Sequence, residues 1–259
     1  MPIPTVFRVT IPCMKPLLLT AALLTLVVPE PALAQAGSRT TMTNTVFQLS
    51  DGFMMPYGIA LPDDDNENPD DPRPLVLALH PGGSSPYYGT SFMASVVEPA
   101  LRPWRAIIVA PDVPAGRWSN ERSEQAVLAL LEDVMTNHSV DPRRILVTGF
   151  SMGGRGTWYL ATRHSDLFTG AIPMAASRGD DSLDGLGSMP VHLIHSPQDE
   201  VIPYGPAQET ADLLREREHP VALISVSGVS HHNMGGYVEP LRKAAEWMWQ
   251  QWEGQDPGQ

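Results

Sequence analysis

The 259-residue chain has one cysteine, Cys13, and more acidic than basic residues, 29 against 17. A lone cysteine allows no intramolecular disulfide, so we expect the folded protein to be stabilised by its apolar core. The formal net charge of −12 disfavours binding to the phosphate backbone of nucleic acid. We therefore expect neither a disulfide-stabilised scaffold nor a nucleic-acid partner.

Long hydrophobic runs are also scarce. The longest apolar stretch, residues 17–28, is about 12 residues, shorter than the ~20 that a membrane-spanning helix needs. It follows Lys15 and precedes Pro29 and the small-x-small sequence Ala32-Leu33-Ala34, which is the pattern of a secretory signal peptide. Residues 1–34 are therefore predicted to be cleaved, leaving a periplasmic or secreted domain over 35–259 with no membrane span.

Short apolar segments alternate with amphipathic ones after about residue 70, and this alternation predicts parallel strands joined by helices. A hairpin is predicted first, with strands over 45–50 and 55–62. Six buried strands are predicted to follow, over 75–80, 105–112, 144–150, 170–176, 191–195 and 221–228. Helices are predicted over 123–138, 207–218 and 237–252. The fold class is α/β, with one mostly parallel sheet, helices on both faces and no large cap domain.

The sequence Gly149-Phe150-Ser151-Met152-Gly153 lies between a predicted strand and a predicted helix. In that context the G-x-S-x-G pattern indicates a tight turn that exposes a nucleophilic serine, Ser151. The backbone N–H of Met152 is then one donor to the oxyanion of the reaction. The second donor is expected from the loop after the strand at 75–80, where Gly82 and Gly83 are equal candidates because Pro81 has no N–H. His80, at the end of that strand, is expected to be structural.

The acid and the base of a serine hydrolase of this architecture follow the serine in that order. Asp199 comes after the strand at 191–195 and is the predicted acid, with Glu200 as the alternative. Two adjacent histidines, His231 and His232, follow the last strand, and both cannot point at Ser151. The spacing from Gly228 favours His231 as the base.

A metal site is the competing interpretation of the histidines. His192 and His195 are three residues apart on one strand, which directs their side chains to opposite faces of the sheet. Neither an HExxH motif nor cysteine ligands are present, so no metal is predicted. No organic cofactor is predicted either.

These motifs resemble those of the α/β-hydrolase superfamily over residues 70–252. The stretches "HPGGSSP", "VTGFSMGGRGTWYLA", "HSPQDEVIP" and "GVSHHNMGGY" are similar to phospholipase/carboxylesterase-type serine esterases, to predicted peptidases, and to exported polyhydroxybutyrate depolymerase-like and feruloyl esterase-like enzymes. The resemblance implies a Ser-His-Asp triad acting on a small or polymeric ester. Trp118 then either lines the substrate cleft or belongs to the core.

The resemblance leaves three functions open: an esterase, a peptidase that uses the same triad on amides, and a non-catalytic binding protein that reuses the fold. Acyl specificity and oligomeric state are not determined by the sequence.

Overall fold

Eight strands form one sheet in residues 40–63, 71–83 and 85–255, the part of the chain that this computed structural model describes. The predicted signal peptide and Cys13 lie outside the described residues, so its cleavage stays a prediction. The strands are β1 (Thr40–Gln48), β2 (Met54–Pro62), β3 (Arg73–Leu79), β4 (Ile107–Pro111), β5 (Val140–Phe150), β6 (Gly170–Met174), β7 (Val191–His195) and β8 (Val221–Ser225).

The spatial order of the strands is β1-β2-β4-β3-β5-β6-β7-β8. The β1–β2 hairpin adds to β4 in the antiparallel direction, and all pairings from β4 to β8 are parallel. The carboxyl ends of β3 to β8 therefore meet at one edge of the sheet. That edge is where ligands bind in open α/β folds.

Helices cover both faces of this sheet. A broken helical stretch links β3 to β4 and consists of α1 (Tyr88–Phe92), a π-helical turn (Met93–Val97), α2 (Glu98–Leu101) and a 3₁₀ turn (Arg102–Trp104). The regular helices are α3 (Glu121–Asn137), α4 (Met152–Ala161), α5 (Gly205–Glu216) and α6 (Val238–Gly254). Two further 3₁₀ turns cover Leu183–Leu186 and Met234–Tyr237.

The apolar residues divide into two cores, one on each face of the sheet. Buried side chains of α3, α4 and α5 pack on one face, and those of α6 and the broken stretch pack on the other. Strand alternation explains this division, because successive side chains point to opposite faces. On β7, Val191 and Leu193 belong to the first core and Ile194 to the second.

The predicted architecture is confirmed: the sheet is mostly parallel, has helices on both faces and begins with the hairpin. Among the described residues, no insertion between strands forms a cap domain. The described ranges also hold no helix that is long and apolar enough to cross a bilayer. The helical stretch at residues 88–104 is an element that sequence periodicity did not predict, because Pro99 and Pro103 divide it into short pieces.

Candidate active site

Ser151 lies at the turn between β5 and α4 in a backbone conformation that side-chain-bearing residues rarely adopt. Its φ of 55° and ψ of −113° make it one of few described non-glycine residues with a positive φ. The Ser151 backbone N–H donates to Met174 O at 2.9 Å, which ties the turn to the end of β6. Strained backbone of this kind is found at functional sites, where the surrounding structure maintains it.

Close packing explains the two glycines around this serine. A Cβ atom on Gly153 would lie 1.8 Å from Leu79 O, and one on Gly149 would lie 2.5 Å from the backbone of Gly153. The ends of β3 and β5 therefore meet the first turn of α4 with no room for a side chain. This contact presents Ser151 at the carboxyl edge of the sheet.

His231 connects Ser151 to a buried carboxylate. Its Nε2 atom lies 2.8 Å from Ser151 Oγ, and its Nδ1 atom lies 2.7 Å from Asp199 Oδ2. Because a carboxylate only accepts hydrogen bonds, Nδ1 carries the proton, and Nδ1–H donates a hydrogen bond to Asp199. Nε2 of the neutral ring is then the acceptor for the serine hydroxyl.

Asp199 is held on the loop after β7 by several donors. Its side chain is 0 % exposed, and Oδ1 accepts the backbone N–H groups of Val201 at 2.9 Å and Ile202 at 2.7 Å. Burial alone would raise the pKa of Asp199, but the hydrogen bonds from His231 and from these two amides hold that pKa below its ordinary value. Asp199 is therefore an ionised acceptor with a fixed orientation.

Glu200 and His232 directly follow Asp199 and His231 in the sequence but make different contacts. The Glu200 carboxylate accepts the backbone N–H of His231 at 3.1 Å, and its other oxygen lies 3.8 Å from His232 Nε2. The His232 side chain is 79 % exposed. The structure thus brings Ser151, Asp199 and His231 together and places His232 outside that group.

His195 is a further neighbour of Asp199 that sequence reasoning missed. Its Nε2–H donates to Ile202 O at 3.0 Å and lies 3.4 Å from Asp199 Oδ2. Burial lowers the pKa of His195, so the ring is neutral at neutral pH. From the end of β7, His195 therefore stabilises the loop that carries Asp199. Its position at the end of β7, four residues before Asp199, was the available signal.

His192 faces the other side of the sheet, as predicted. Its ring packs against Trp247 of α6 with the ring centroids 5.0 Å apart. In the described part of the chain, no group of three or more potential metal ligands comes together.

The predicted oxyanion donors lie on two adjoining segments. Met152 is the first residue of α4, where backbone N–H groups have no partner within the helix. Gly82 and Gly83 are exposed on the loop after β3, and Gly83 lies against Tyr88, since a Cβ on Gly83 would be 2.5 Å from that ring. The choice between the two glycines stays open.

His80 fixes the base of this loop. Its Nδ1–H donates to Pro81 O at 2.6 Å, and Nε2 accepts the backbone N–H of Val113 at 3.1 Å. Burial lowers the pKa of His80, which keeps the neutral form that this donor–acceptor pair needs. His80 is thus a structural link between the loops after β3 and β4.

The structure corrects the interpretation of Trp118 as a residue that lines the substrate cleft. The residue is 1 % exposed and packs in the core, because Gly156 of α4 leaves space for its ring. Its indole N–H donates to His80 O at 2.9 Å. Trp118 is therefore a core residue that anchors the end of β3 and does not line the cleft.

Comparison with known proteins assigns the chain to a family. Residues 113–252, more than half of the chain, match the family model described as the dienelactone hydrolase family. The chain belongs to the dienelactone hydrolase family. The match begins at the loop after β4 and includes Ser151, Asp199 and His231.

Curated relatives of this dienelactone hydrolase family member include feruloyl esterases. A probable feruloyl esterase C of Aspergillus niger is 27% identical in an alignment of 194 residues that covers 68% of this chain and 65% of that protein. Poly(3-hydroxyalkanoate) depolymerase C of Paucimonas lemoignei is 30% identical in an alignment of 123 residues that covers 39% of this chain and 27% of that protein. The chain thus spans slightly less than two thirds of the length of the Aspergillus niger relative.

Solved structures share the fold. A thermostable esterase superposes with a TM-score of 0.69 at 23% identity, over 81% of this chain and 62% of that one. The S-formylglutathione hydrolase of Staphylococcus aureus gives a TM-score of 0.66 at 16% identity, over 82% and 97%. The resemblance of this dienelactone hydrolase family member to α/β-hydrolase serine esterases is confirmed by these findings together.

Proposed function

We propose that this protein is an exported serine hydrolase that cleaves carboxylic esters through an acyl-enzyme intermediate. The observation that carries the proposal is the continuous hydrogen-bonded chain from Ser151 Oγ through His231 to Asp199, with distances of 2.8 and 2.7 Å. Family membership and the esterases among the relatives support the same reaction class.

In the first half of the reaction, Ser151 Oγ attacks the ester carbonyl carbon while His231 Nε2 takes the hydroxyl proton. Asp199 accepts from Nδ1–H and stabilises the imidazolium that forms. The negative charge on the carbonyl oxygen is stabilised by the Met152 N–H and by that of Gly82 or Gly83.

The tetrahedral intermediate then collapses. The bond from the carbonyl carbon to the alcohol oxygen breaks, and His231 Nε2 donates its proton to that oxygen. The alcohol leaves and the acyl group stays on Ser151. Water then attacks the acyl carbon and loses a proton to Nε2. The bond from that carbon to Ser151 Oγ breaks, Nε2 returns the proton to Oγ, and the carboxylic acid is released.

Feruloyl esters are the substrates to test first, because several of the relatives are named feruloyl esterases. The purified protein should hydrolyse p-nitrophenyl acetate and a feruloyl ester, and Ser151→Ala should abolish both activities. A fluorophosphonate probe should label the wild type and leave Ser151→Ala unlabelled.

The results that would contradict the proposal are specific. Equal ester hydrolysis by wild type and Ser151→Ala would exclude Ser151 as the nucleophile. Labelling of Ser151 with turnover of peptide amides but of no ester would identify a peptidase. Absence of both labelling and turnover would indicate a binding protein.

A further inference from the structure

Residues 227–232, the base loop, carry the candidate base His231 between β8 and the 3₁₀ turn at Met234–Tyr237. The base loop forms neither helix nor strand, so its position depends on contacts with neighbouring segments. Among the described residues, two backbone N–H groups of this loop, those of Gly228 and His231, donate hydrogen bonds to side chains of another segment.

Both acceptors flank Asp199 on residues 196–202, the acid loop. Gln198 Oε1 accepts the Gly228 N–H at 2.7 Å, and Glu200 Oε2 accepts the His231 N–H at 3.1 Å. Asp199, between them, accepts from the His231 ring at 2.7 Å. Three consecutive side chains of the acid loop therefore hold the base loop at three points.

The acid loop is a fixed support for these contacts. The backbone N–H groups of Gln198 and Asp199 both donate to the buried Ser196, at 3.1 Å to its Oγ and 3.1 Å to its O. At the other end of the loop, the Ile202 N–H donates to Asp199 Oδ1, and Ile202 O accepts from His195 Nε2. These hydrogen bonds hold the acid loop without any contribution from the base loop.

Two hydrogen bonds to His231 restrict it more than one does. The bond from Nδ1 to Asp199 alone would let the ring pivot about Nδ1 and carry Nε2 away from Ser151 Oγ. The bond from the His231 N–H to Glu200 fixes the main chain from which the ring projects, and Nε2 stays 2.8 Å from Ser151 Oγ. A displacement of about 1 Å at such a position can lower a rate about 100-fold.

A long-range effect of the Glu200 charge is the alternative explanation of its position. The Glu200 side chain is 47 % exposed, so water and salt screen its charge. Its contact with His231 is to the main chain, which an uncharged oxygen can also accept from. The geometry therefore favours a role for the hydrogen bond over a role for the charge.

We propose that Gln198 and Glu200 are positioning residues that hold the backbone of the base loop, so that His231 Nε2 stays within reach of Ser151 Oγ in both halves of the reaction. Neither side chain takes or gives a proton in this role. Glu200 thus differs from an acid of the triad, because it binds the main chain of His231. This inference rests on the proposed ester hydrolysis at Ser151.

Glu200→Ala and Glu200→Gln test the role of the hydrogen bond with p-nitrophenyl acetate as substrate. Glu200→Ala should lower kcat about tenfold, because the base is less well placed. Glu200→Gln should stay within about threefold of the wild type, since the amide oxygen still accepts the His231 N–H. KM should change less than about twofold in both variants, because His231 acts in acylation and in deacylation and both steps slow together.

Gln198→Met tests the second contact, since methionine keeps the length of the side chain and removes the oxygen that accepts from Gly228. It should lower kcat about threefold, and the double variant with Glu200→Ala should lose more than the product of the two single losses. Each remaining contact limits the movement of the same loop. Glu216→Ala, at an exposed glutamate near the end of α5, is the matched control and should leave kcat unchanged.

A second measurement needs no turnover. The proton between His231 Nδ1 and Asp199 should give a downfield proton NMR signal, identified by its absence from His231→Ala. The signal should be sharp in the wild type and in Glu200→Gln. In Glu200→Ala it should be broadened by exchange with water, because the base loop moves more freely.

Three results would overturn the proposal, each in variants that keep the wild-type circular dichroism spectrum. One is a wild-type kcat together with a sharp signal in Glu200→Ala. Another is an equal loss of kcat in Glu200→Ala and Glu200→Gln, which would make the charge the cause. The third is a loss in His232→Ala as large as that in Glu200→Ala, which would show that Glu200 acts through His232.

Failure of the reaction itself is distinguishable from these results. If the wild type is neither labelled by a fluorophosphonate nor active on esters, the proposed hydrolysis at Ser151 is wrong. The NMR comparison of Glu200→Ala with Glu200→Gln would still show whether Glu200 holds His231 in place.

Discussion

His192 should lower the free energy of unfolding of this protein in acid, and one substitution should remove this effect. The residue is 4 % exposed, and both ring nitrogens lack a hydrogen-bond partner within the part of the chain that the structure describes. Burial lowers the pKa of His192 to about 4. The ring is therefore neutral in the folded state at pH values where the unfolded chain already binds a proton.

The sign follows from proton linkage. Below its unfolded pKa of about 6.5 the unfolded chain gains a proton that the folded protein does not, so acid favours unfolding. The loss grows as the pH falls from 6.5 to about 4 and levels off below that. At pH 4.5 the two pKa values give a loss of about 2–3 kcal/mol in the free energy of unfolding relative to neutral pH.

His192→Phe isolates this contribution, because phenylalanine cannot titrate and keeps a ring beside Trp247. We expect the difference in free energy of unfolding between pH 7.5 and pH 4.5 to be about 2–3 kcal/mol smaller in His192→Phe than in the wild type. Urea denaturation monitored by tryptophan fluorescence at both pH values measures it. His232→Phe, at an exposed histidine, is the control.

The reasoning is refuted if wild type and His192→Phe lose the same free energy of unfolding between the two pH values. A stabilisation of His192→Phe that is equal at both pH values would also refute it. That result would reflect removal of unpaired polar atoms and not a change in titration.

Two further predictions concern the candidate site. His231→Ala should lower the esterase kcat about 1,000-fold or more and His232→Ala less than about tenfold, since only His231 contacts Ser151; a larger loss in His232→Ala would reverse the assignment of the base. Gly153→Ala should destabilise the protein by about 3 kcal/mol, because the added Cβ meets the Leu79 carbonyl. An unchanged midpoint of thermal unfolding would contradict the close packing of Gly153 against Leu79.

The sequence predicts most of the sheet because the strands from β3 to β7, apart from the first residues of β5, are buried and mostly apolar, a pattern that local composition reveals. The turn at Ser151 is predictable for a related reason, since its glycines are required by backbone contacts within a few residues. The choice of Asp199 and His231 depended on their order after successive strands, which the parallel topology converts into proximity.

Other features depend on contacts between distant segments, which one sequence does not reveal. The burial of Trp118 depends on the space that Gly156 leaves on α4, 38 positions away. The second contact to Asp199 from His195 depends on how the loop after β7 folds back over its own strand. The residue type alone does not indicate whether a tryptophan lies in a cleft or in the core.

The close approach of Gly153 to Leu79 O packs the turn of the nucleophile directly against the end of β3, where the candidate oxyanion loop begins. We therefore expect a shift of the end of β3 to move the turn at Ser151 with it, and the attacking oxygen to keep its position relative to the oxyanion donors. Substitutions in the exposed loops after β3 and β4 are then expected to leave the reacting geometry unchanged. The same close packing makes Gly149 and Gly153 poor positions for any larger side chain.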